Sequence, residues 1–202
     1  MIACMINGIS LSLHTEKMLF SPNGIDKGTL VMLSKADFQS GQKILDLGCG
    51  YGAVGIYAAH FTGAENVTMV DIDPVAVTCA KRNAINNDLQ NIHIFQSDGF
   101  AHIMERNFDW ILSNPPYHAD FSVPKAFIEE GYRHLKYGGC MIMVTKRYQW
   151  YKNKLKSVFG GVKVIEENGY FVFISQKRAV RKTESKNRQK LSKKLRRKYQ
   201  ED

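Results

Sequence analysis

From residue 43 onward, short apolar runs alternate with longer stretches whose apolar positions recur every three or four residues. The short runs have the pattern of strands buried on both faces, and the longer ones that of amphipathic helices. KILDL (43–47) predicts a first buried strand interrupted only by Asp46, followed by a helix over GAVGIYAAHF that opens on glycines. NVTMVDI (66–72) predicts the second strand. Asp73 and Pro74 then supply a cap and a first helical residue for PVAVTCAKRNAINN. NIHIFQSD (91–98) and FDWILSN (108–114) predict strands three and four, a helix covers about 123–136, and GGCMIMVTK (138–146) predicts strand five. A helix over YQWYKNKLKSVF precedes GVKVIEE and GYFVFISQ, which Asn168-Gly169 joins as an antiparallel hairpin. Five parallel-type strands alternating with helices, and a closing hairpin, predict a doubly wound α/β sheet. Ahead of it, residues 1–19 read as a lead-in, 20–29 as an ordered loop and 27–38 as an amphipathic helix.

Composition narrows this picture. The 202 residues predict one globular domain over 1–176 and a separate tail over 177–202. No apolar run approaches the roughly 20 residues of a membrane span, and the amino-terminal residues do not read as a signal peptide, so the expected location is cytoplasmic. The four cysteines are scattered without a C-x-x-C pair, and no histidines stand at ligand spacing, so neither a metal nor a disulfide framework is expected. The net charge of +9 lies wholly in the tail, which holds 12 basic and 3 acidic residues, while 1–176 hold 16 of each. Leu191, Leu195 and Tyr199 repeat every four residues along that tail. It is expected to be either a solvated extension or, if helical, an arm for nucleic-acid phosphates.

ILDLGCGYGAVG carries two overlapping glycine patterns. Gly50-x-Gly52-x-x-Gly55 satisfies the dinucleotide fingerprint, and Asp46-x-Gly48-x-Gly50-x-Gly52 the loop of S-adenosylmethionine (SAM) enzymes. Both use glycine so that backbone can turn sharply and lie against a ligand. Register favours SAM, because the strand runs into Gly48 and the dinucleotide pattern begins two residues too late. An acid at 46 also suits a ligand carrying an ammonium and a sulfonium better than a pyrophosphate. Asp71 closes the second strand where an acid accepts ribose hydroxyls, and Asp98 closes the third, where it can hold an adenine amino group.

SNPPYH (113–118) falls at the carboxyl end of the fourth strand, where open α/β sheets place ligands. An exocyclic amine is a poor nucleophile because its lone pair is delocalised into the ring. Two acceptors that grip its N–H groups turn that lone pair toward an electrophile. The Asn114 amide oxygen and the carbonyl of Pro115, held outward by the stiff Pro-Pro pair, are the candidate acceptors, and Tyr117 offers a ring for stacking.

On these residues the chain resembles the class I SAM-dependent methyltransferases with an N-P-P-[YFW] motif. Within them it is most similar to the catalytic, small methyltransferase domain of the RsmC-like ribosomal RNA guanine-N2 methyltransferases. FSPNGIDKGT (20–29), LDLGCGYGAVGI (45–56) and SNPPYH carry the resemblance, which covers about residues 14–177. It implies a Rossmann-like seven-stranded sheet in order 3-2-1-4-5-7-6 with the last strand antiparallel. It implies that Asp46, Gly48, Gly50, Gly52, Asp71, Asp98 and Asn114 bind SAM and that Asn114, Pro115 and Tyr117 receive the amine. Phe20, Asp26 and Gly28 would line the entrance. The larger members carry a second domain that helps to read RNA, for which these 202 residues leave no room.

The expected activity is therefore methylation of an exocyclic base amine of RNA, foremost guanine N2 in small-subunit ribosomal RNA, with RNA or the small ribosomal subunit as partner. Tyr117 in place of the Phe or Trp of the guanine enzymes keeps adenine-N6 and protein glutamine-N5 methylation open. A non-catalytic RNA-binding assembly factor on the same scaffold is the third reading.

Overall fold

The structure is a computed structural model that describes residues 2–115 and 120–179. Its strands are β1 (Ile2–Ile6), β2 (Ile9–Leu13), β3 (Ile44–Leu47), β4 (Val67–Asp71), β5 (His93–Gln96), β6 (Phe108–Ser113), β7 (Leu135–Thr145), β8 (Lys163–Glu167) and β9 (Tyr170–Gln176). Its helices are α1 (Lys27–Leu33), α2 (Ala53–Thr62), α3 (Pro74–Asn86), α4 (Ser122–His134) and α5 (Gln149–Phe159).

Seven strands form one sheet in the order β5-β4-β3-β6-β7-β9-β8. The expected order 3-2-1-4-5-7-6 is thus the observed one. β3 through β7 run parallel, and β9 lies antiparallel to both β7 and β8. The two-residue period along each strand splits the core. Ile44, Met69, Leu112 and Ile142 face α1, α2 and α3, whereas Leu45, Leu47, Val70 and Ile111 face α4 and α5. Asp46 shares the α2 side with Ile44 and is the one charged side chain buried there among the described residues.

Local chemistry sets the ends of these elements. Asp73 caps α3 by accepting from the Val75 amide at 2.8 Å, with Pro74 as first helical residue, as expected. Asn168 and Gly169 both adopt positive φ, the requirement of the tight hairpin turn between β8 and β9. α1 ends at Leu33, five residues before its expected end, and β7 begins at Leu135 rather than 138.

The amino-terminal residues are more than a lead-in. β1 and β2 pair as a separate hairpin around Asn7-Gly8, which also has positive φ at both positions. Asn83 of α3 and Asn87, which caps the carboxyl end of that helix, fasten it. Asn87 exchanges hydrogen bonds with the backbone of Ser12, and the fully buried Asn83 does the same with His14 while also donating to Tyr51 O. Asn83 therefore ties the hairpin, α3 and the glycine loop to one another.

The sheet order reverses direction between β3 and β6, the position where doubly wound sheets open a crevice beyond their carboxyl ends. Because β9 runs antiparallel, its first residue, Tyr170, stands at this same edge, and its last residue pairs with Cys140 near the opposite one.

Candidate active site

The crevice is a cavity of about 360 Å³ lined from the ends of β3, β4, β5 and β6, from the loop before α1 and from α4. It falls in the size range of small-molecule sites. Its floor is the turn after β3. The Gly48 and Cys49 amides both donate to Val70 O at 2.9 Å, which pins the turn to β4. Gly48 and Gly50 have φ of +77° and +55°, and a Cβ on either would meet nothing within 4 Å. Their open sides border the cavity, so a ligand can lie against bare backbone. Gly52 lies behind the floor, outside the cavity lining. A Cβ there would come within 2.7 Å of Met69 Cε, so its role is packing α2 against β4.

Three carboxylates surround the floor. Asp46 is 2 % exposed, accepts from the Gly55 amide at 2.8 Å and still borders the cavity. Burial pushes its carboxyl up to about 7; the Gly55 hydrogen bond opposes this and the charge of Asp71 adds to it. Asp71 accepts from the Gly50 amide at 2.8 Å and the Asp73 amide at 3.0 Å, one bond on each oxygen, leaving lone pairs for a ligand. Asp98 is exposed on the cavity wall, beside Ser97, whose hydroxyl braces the turn through Gly99 and His102. Ile72, Val123 and Phe127 give the cavity apolar walls that the sequence reading did not single out. Ile72 is 61 % exposed, a high figure for an isoleucine that nothing else covers.

The opposite wall is built around Asn114. Its amide nitrogen donates to Asp26 Oδ2 at 3.0 Å and Thr29 Oγ1 at 3.0 Å. A carboxylate is an acceptor only, so the contact with Asp26 decides which end of the amide is nitrogen. The other end, Oδ1, is buried and has no hydrogen-bond partner among the described residues. Asp26 is held in turn. It caps α1 through the Thr29 amide and accepts from the Tyr170 hydroxyl at 3.0 Å. Gly28 makes this possible, since a Cβ there would lie 2.5 Å from the Tyr170 ring. Gly28 therefore sits behind the wall, while Phe20 and Asp26 line the cavity. Tyr51 ties the Phe20–Asp26 loop to the glycine turn, its hydroxyl donating to Gly24 O at 3.2 Å.

Pro115 borders the cavity next to Asn114. Tyr117 lies outside the described residues, as does most of the tail from 180 onward. Thr29 and Tyr170 are site residues that the sequence reading missed. Thr29 carried a signal, its place in the loop motif; Tyr170 carried none. Among the described residues, no three metal-ligating side chains gather.

The arrangement can hold an elongated ligand. A cationic end fits beside Asp46, hydroxyls fit Asp71, and a flat apolar part fits the walls near Asp98. It also presents one oriented amide oxygen to a second molecule that brings an N–H.

Residues 10–175 match the profile of the methyltransferase small domain family. The Ribosomal RNA small subunit methyltransferase C of Psychromonas ingrahamii is 30% identical over 174 residues, which are 84% of this chain and 49% of that protein. The chain thus spans about half the length of such relatives. The uncharacterized protein YbxB of Bacillus subtilis is 31% identical over 171 residues, 81% of this chain and 84% of that protein. Among solved structures, the Thermus thermophilus 16S rRNA N2 G1207 methyltransferase in complex with AdoMet and guanosine superposes with a TM-score of 0.80 at 26% identity, covering 88% of this chain and 50% of that one.

Proposed function

The chain belongs to the methyltransferase small domain family, and on that premise we propose that it transfers a methyl group from SAM to an exocyclic amine of a ribosomal RNA base. Guanine N2 in the small subunit is the acceptor that the relatives' names favour. The observation that carries this reading is the buried Oδ1 of Asn114, unpartnered among the described residues, whose amide nitrogen is fixed by Asp26 and Thr29. A buried acceptor left without a donor costs about 1–3 kcal/mol. An N–H from the substrate relieves that cost when it docks.

The cavity fits the cofactor on the chemistry of its own groups. Gly48 and Gly50 leave room for it; Asp46 would face its cationic end, Asp71 would accept from the ribose hydroxyls and Asp98 from the adenine amine. Bound SAM supplies a methyl group on a sulfonium sulfur. The protein's part is positional. Asn114 Oδ1 takes one N–H of the target amine and the Pro115 carbonyl the other, turning the nitrogen lone pair out of conjugation and toward the methyl. Tyr117, outside the described residues, is the ring that the sequence offers for stacking on the base, at about 1–3 kcal/mol for such a contact. Holding two reactants in line accounts for most of the acceleration, and no strong base is required. The network behind Asn114 keeps its amide from rotating during this step.

The basic tail serves in this reading as a phosphate arm. Its first residue, Lys177, is fixed to Gly138 and Gly139 at the edge of the sheet opposite the cavity.

The test is transfer of a labelled methyl group to small ribosomal subunits, or their RNA, from cells lacking this protein. Incorporation into RNA that disappears in Asn114→Ala supports the proposal. Label in a protein, or none at all despite bound cofactor, contradicts it.

A further inference from the structure

Beyond the cavity, the chain places a second group of cationic and aromatic side chains at the same edge of the sheet. β6 and β7 pair with Ser113 opposite Met143, so Val144 and Thr145 come level with Asn114 and Pro115, one strand spacing away, and the residues leaving β7 follow directly beyond them. Those residues are Lys146 and Arg147. The Arg147 amide is fastened to Thr145 Oγ1 at 3.1 Å, which fixes the backbone just past the strand. The two side chains then part. The Lys146 ammonium stands 5.0 Å over the ring of Tyr170, the residue that braces Asp26. The Arg147 guanidinium stands 4.8 Å over the ring of Phe121, at the start of α4. Phe121 is itself backed by Trp150, with ring centroids 4.5 Å apart and planes 22° apart.

This stack has no need of a cation to complete a core, since Arg147 is exposed and has no ion pair among the described residues. The nearby acid, Asp120, accepts from the Ser122 amide at 2.7 Å and caps the turn into α4. A guanidinium held against a ring keeps its N–H donors at the edge of its plane, ready for bidentate contact with an anion. Two residues in succession beyond one strand place positive charge on both sides of the acceptor wall.

We propose that Arg147, held on the Phe121–Trp150 stack, and Lys146 grip the backbone phosphates next to the nucleotide whose base enters the cavity. The inference rests on the RNA reading above and deepens it, since it names how the strand is held. It assigns orientation of the target to the catalytic domain itself rather than to the basic tail.

The experiment compares the full chain with Arg147→Gln, Arg147→Lys and, as control, Lys163→Gln on the outer strand β8. An unmodified fragment of small-subunit ribosomal RNA is the probe, followed by fluorescence anisotropy between 50 and 200 mM salt, roughly the range where phosphate contacts dominate. Calorimetry with S-adenosylhomocysteine checks that each variant is folded and retains cofactor binding. Arg147→Gln should weaken RNA binding about tenfold, as expected for one charge-assisted contact. It should also flatten the dependence of log affinity on log salt by about one. Arg147→Lys, which keeps the charge but loses the fork, should fall between it and the wild type, and Lys163→Gln should match the wild type. Unchanged RNA affinity and salt slope in Arg147→Gln, with cofactor binding intact, overturn the inference while leaving the methylation reading standing. Arg147-dependent RNA binding without methyl transfer to any RNA upholds the phosphate contact and overturns the reaction instead. Loss of labelling of a protein substrate, in place of RNA, would overturn the phosphate assignment.

Discussion

The two walls of the cavity are built by opposite means. The wall proposed for the cofactor uses backbone and the strand-end acids Asp46, Asp71 and Asp98, each on a segment that forms its own turn. The target wall is a relay of side chains, Tyr170 to Asp26 to Asn114, joining positions 144 and 88 residues apart. A wall of the first kind forms as soon as its strands do. One of the second kind exists only when α1, β6 and β9 are all in place. The cofactor wall should therefore tolerate distant changes that disable the target wall, and each wall should fail without the other.

The sharpest break falls on the target side. Asn114→Ala should lower methyl transfer about 10²–10³-fold, the scale for removing one oriented catalytic dipole, while cofactor affinity changes far less. Single-turnover assays beside calorimetry separate the two effects. On the cofactor side, Gly50→Val places a β-branched residue at φ +55° with its methyls in the cavity. It should weaken cofactor binding about 100-fold or more, because both backbone and contact surface are lost.

Asp26→Ala should be smaller, about 10–100-fold in kcat, since the Asn114 amide then loses its carboxylate acceptor and keeps only Thr29 Oγ1. Cofactor affinity in that variant should stay within about twofold.

Asp46 adds a pH dependence to the cofactor side alone. With its carboxyl near 7, about half of the molecules are protonated at neutral pH. A cationic ligand needs the ionised form, so cofactor affinity should rise by up to about tenfold per pH unit below 7 and level off above it. Titration calorimetry in two buffers should register proton release near pH 6.5. The sign for the free protein is opposite. The raised carboxyl contributes stability that is fully present below the ordinary value of 3.8 and is lost as pH rises through about 7. The least change is expected from Tyr170→Phe, which removes one hydrogen bond to Asp26 and should lower kcat only about three- to tenfold.

The same contrast explains what could be read before the structure. The strands themselves, the glycine turn and the acids at 46, 71 and 98 follow from local patterns, because each is made by residues near one another in the chain, whereas the strand order came from the family resemblance. The hairpin around Asn7-Gly8 is equally local, with apolar and polar residues alternating on either side of an Asn-Gly pair, but it stands ahead of the repeating β/α rhythm that marks out the other elements. Gly52 and Gly28 carried motif positions, yet their missing side chains make room for Met69 and Tyr170 rather than for a ligand. Tyr170 could not be found, since nothing at 168–171 tells that an antiparallel last strand delivers its first side chain to the cavity edge. Thr29 stood inside the recognised loop, but its hydroxyl matters only because Asn114 arrives from 85 residues away.

The central claim is that the free oxygen of Asn114 waits for the target amine. A crystal structure of the protein with S-adenosylhomocysteine and guanosine tests it directly. The account predicts the exocyclic nitrogen about 3 Å from Asn114 Oδ1, with the amide nitrogen still on Asp26. A base seated elsewhere, or an Asn114 amide turned so that its oxygen faces Thr29, would contradict it.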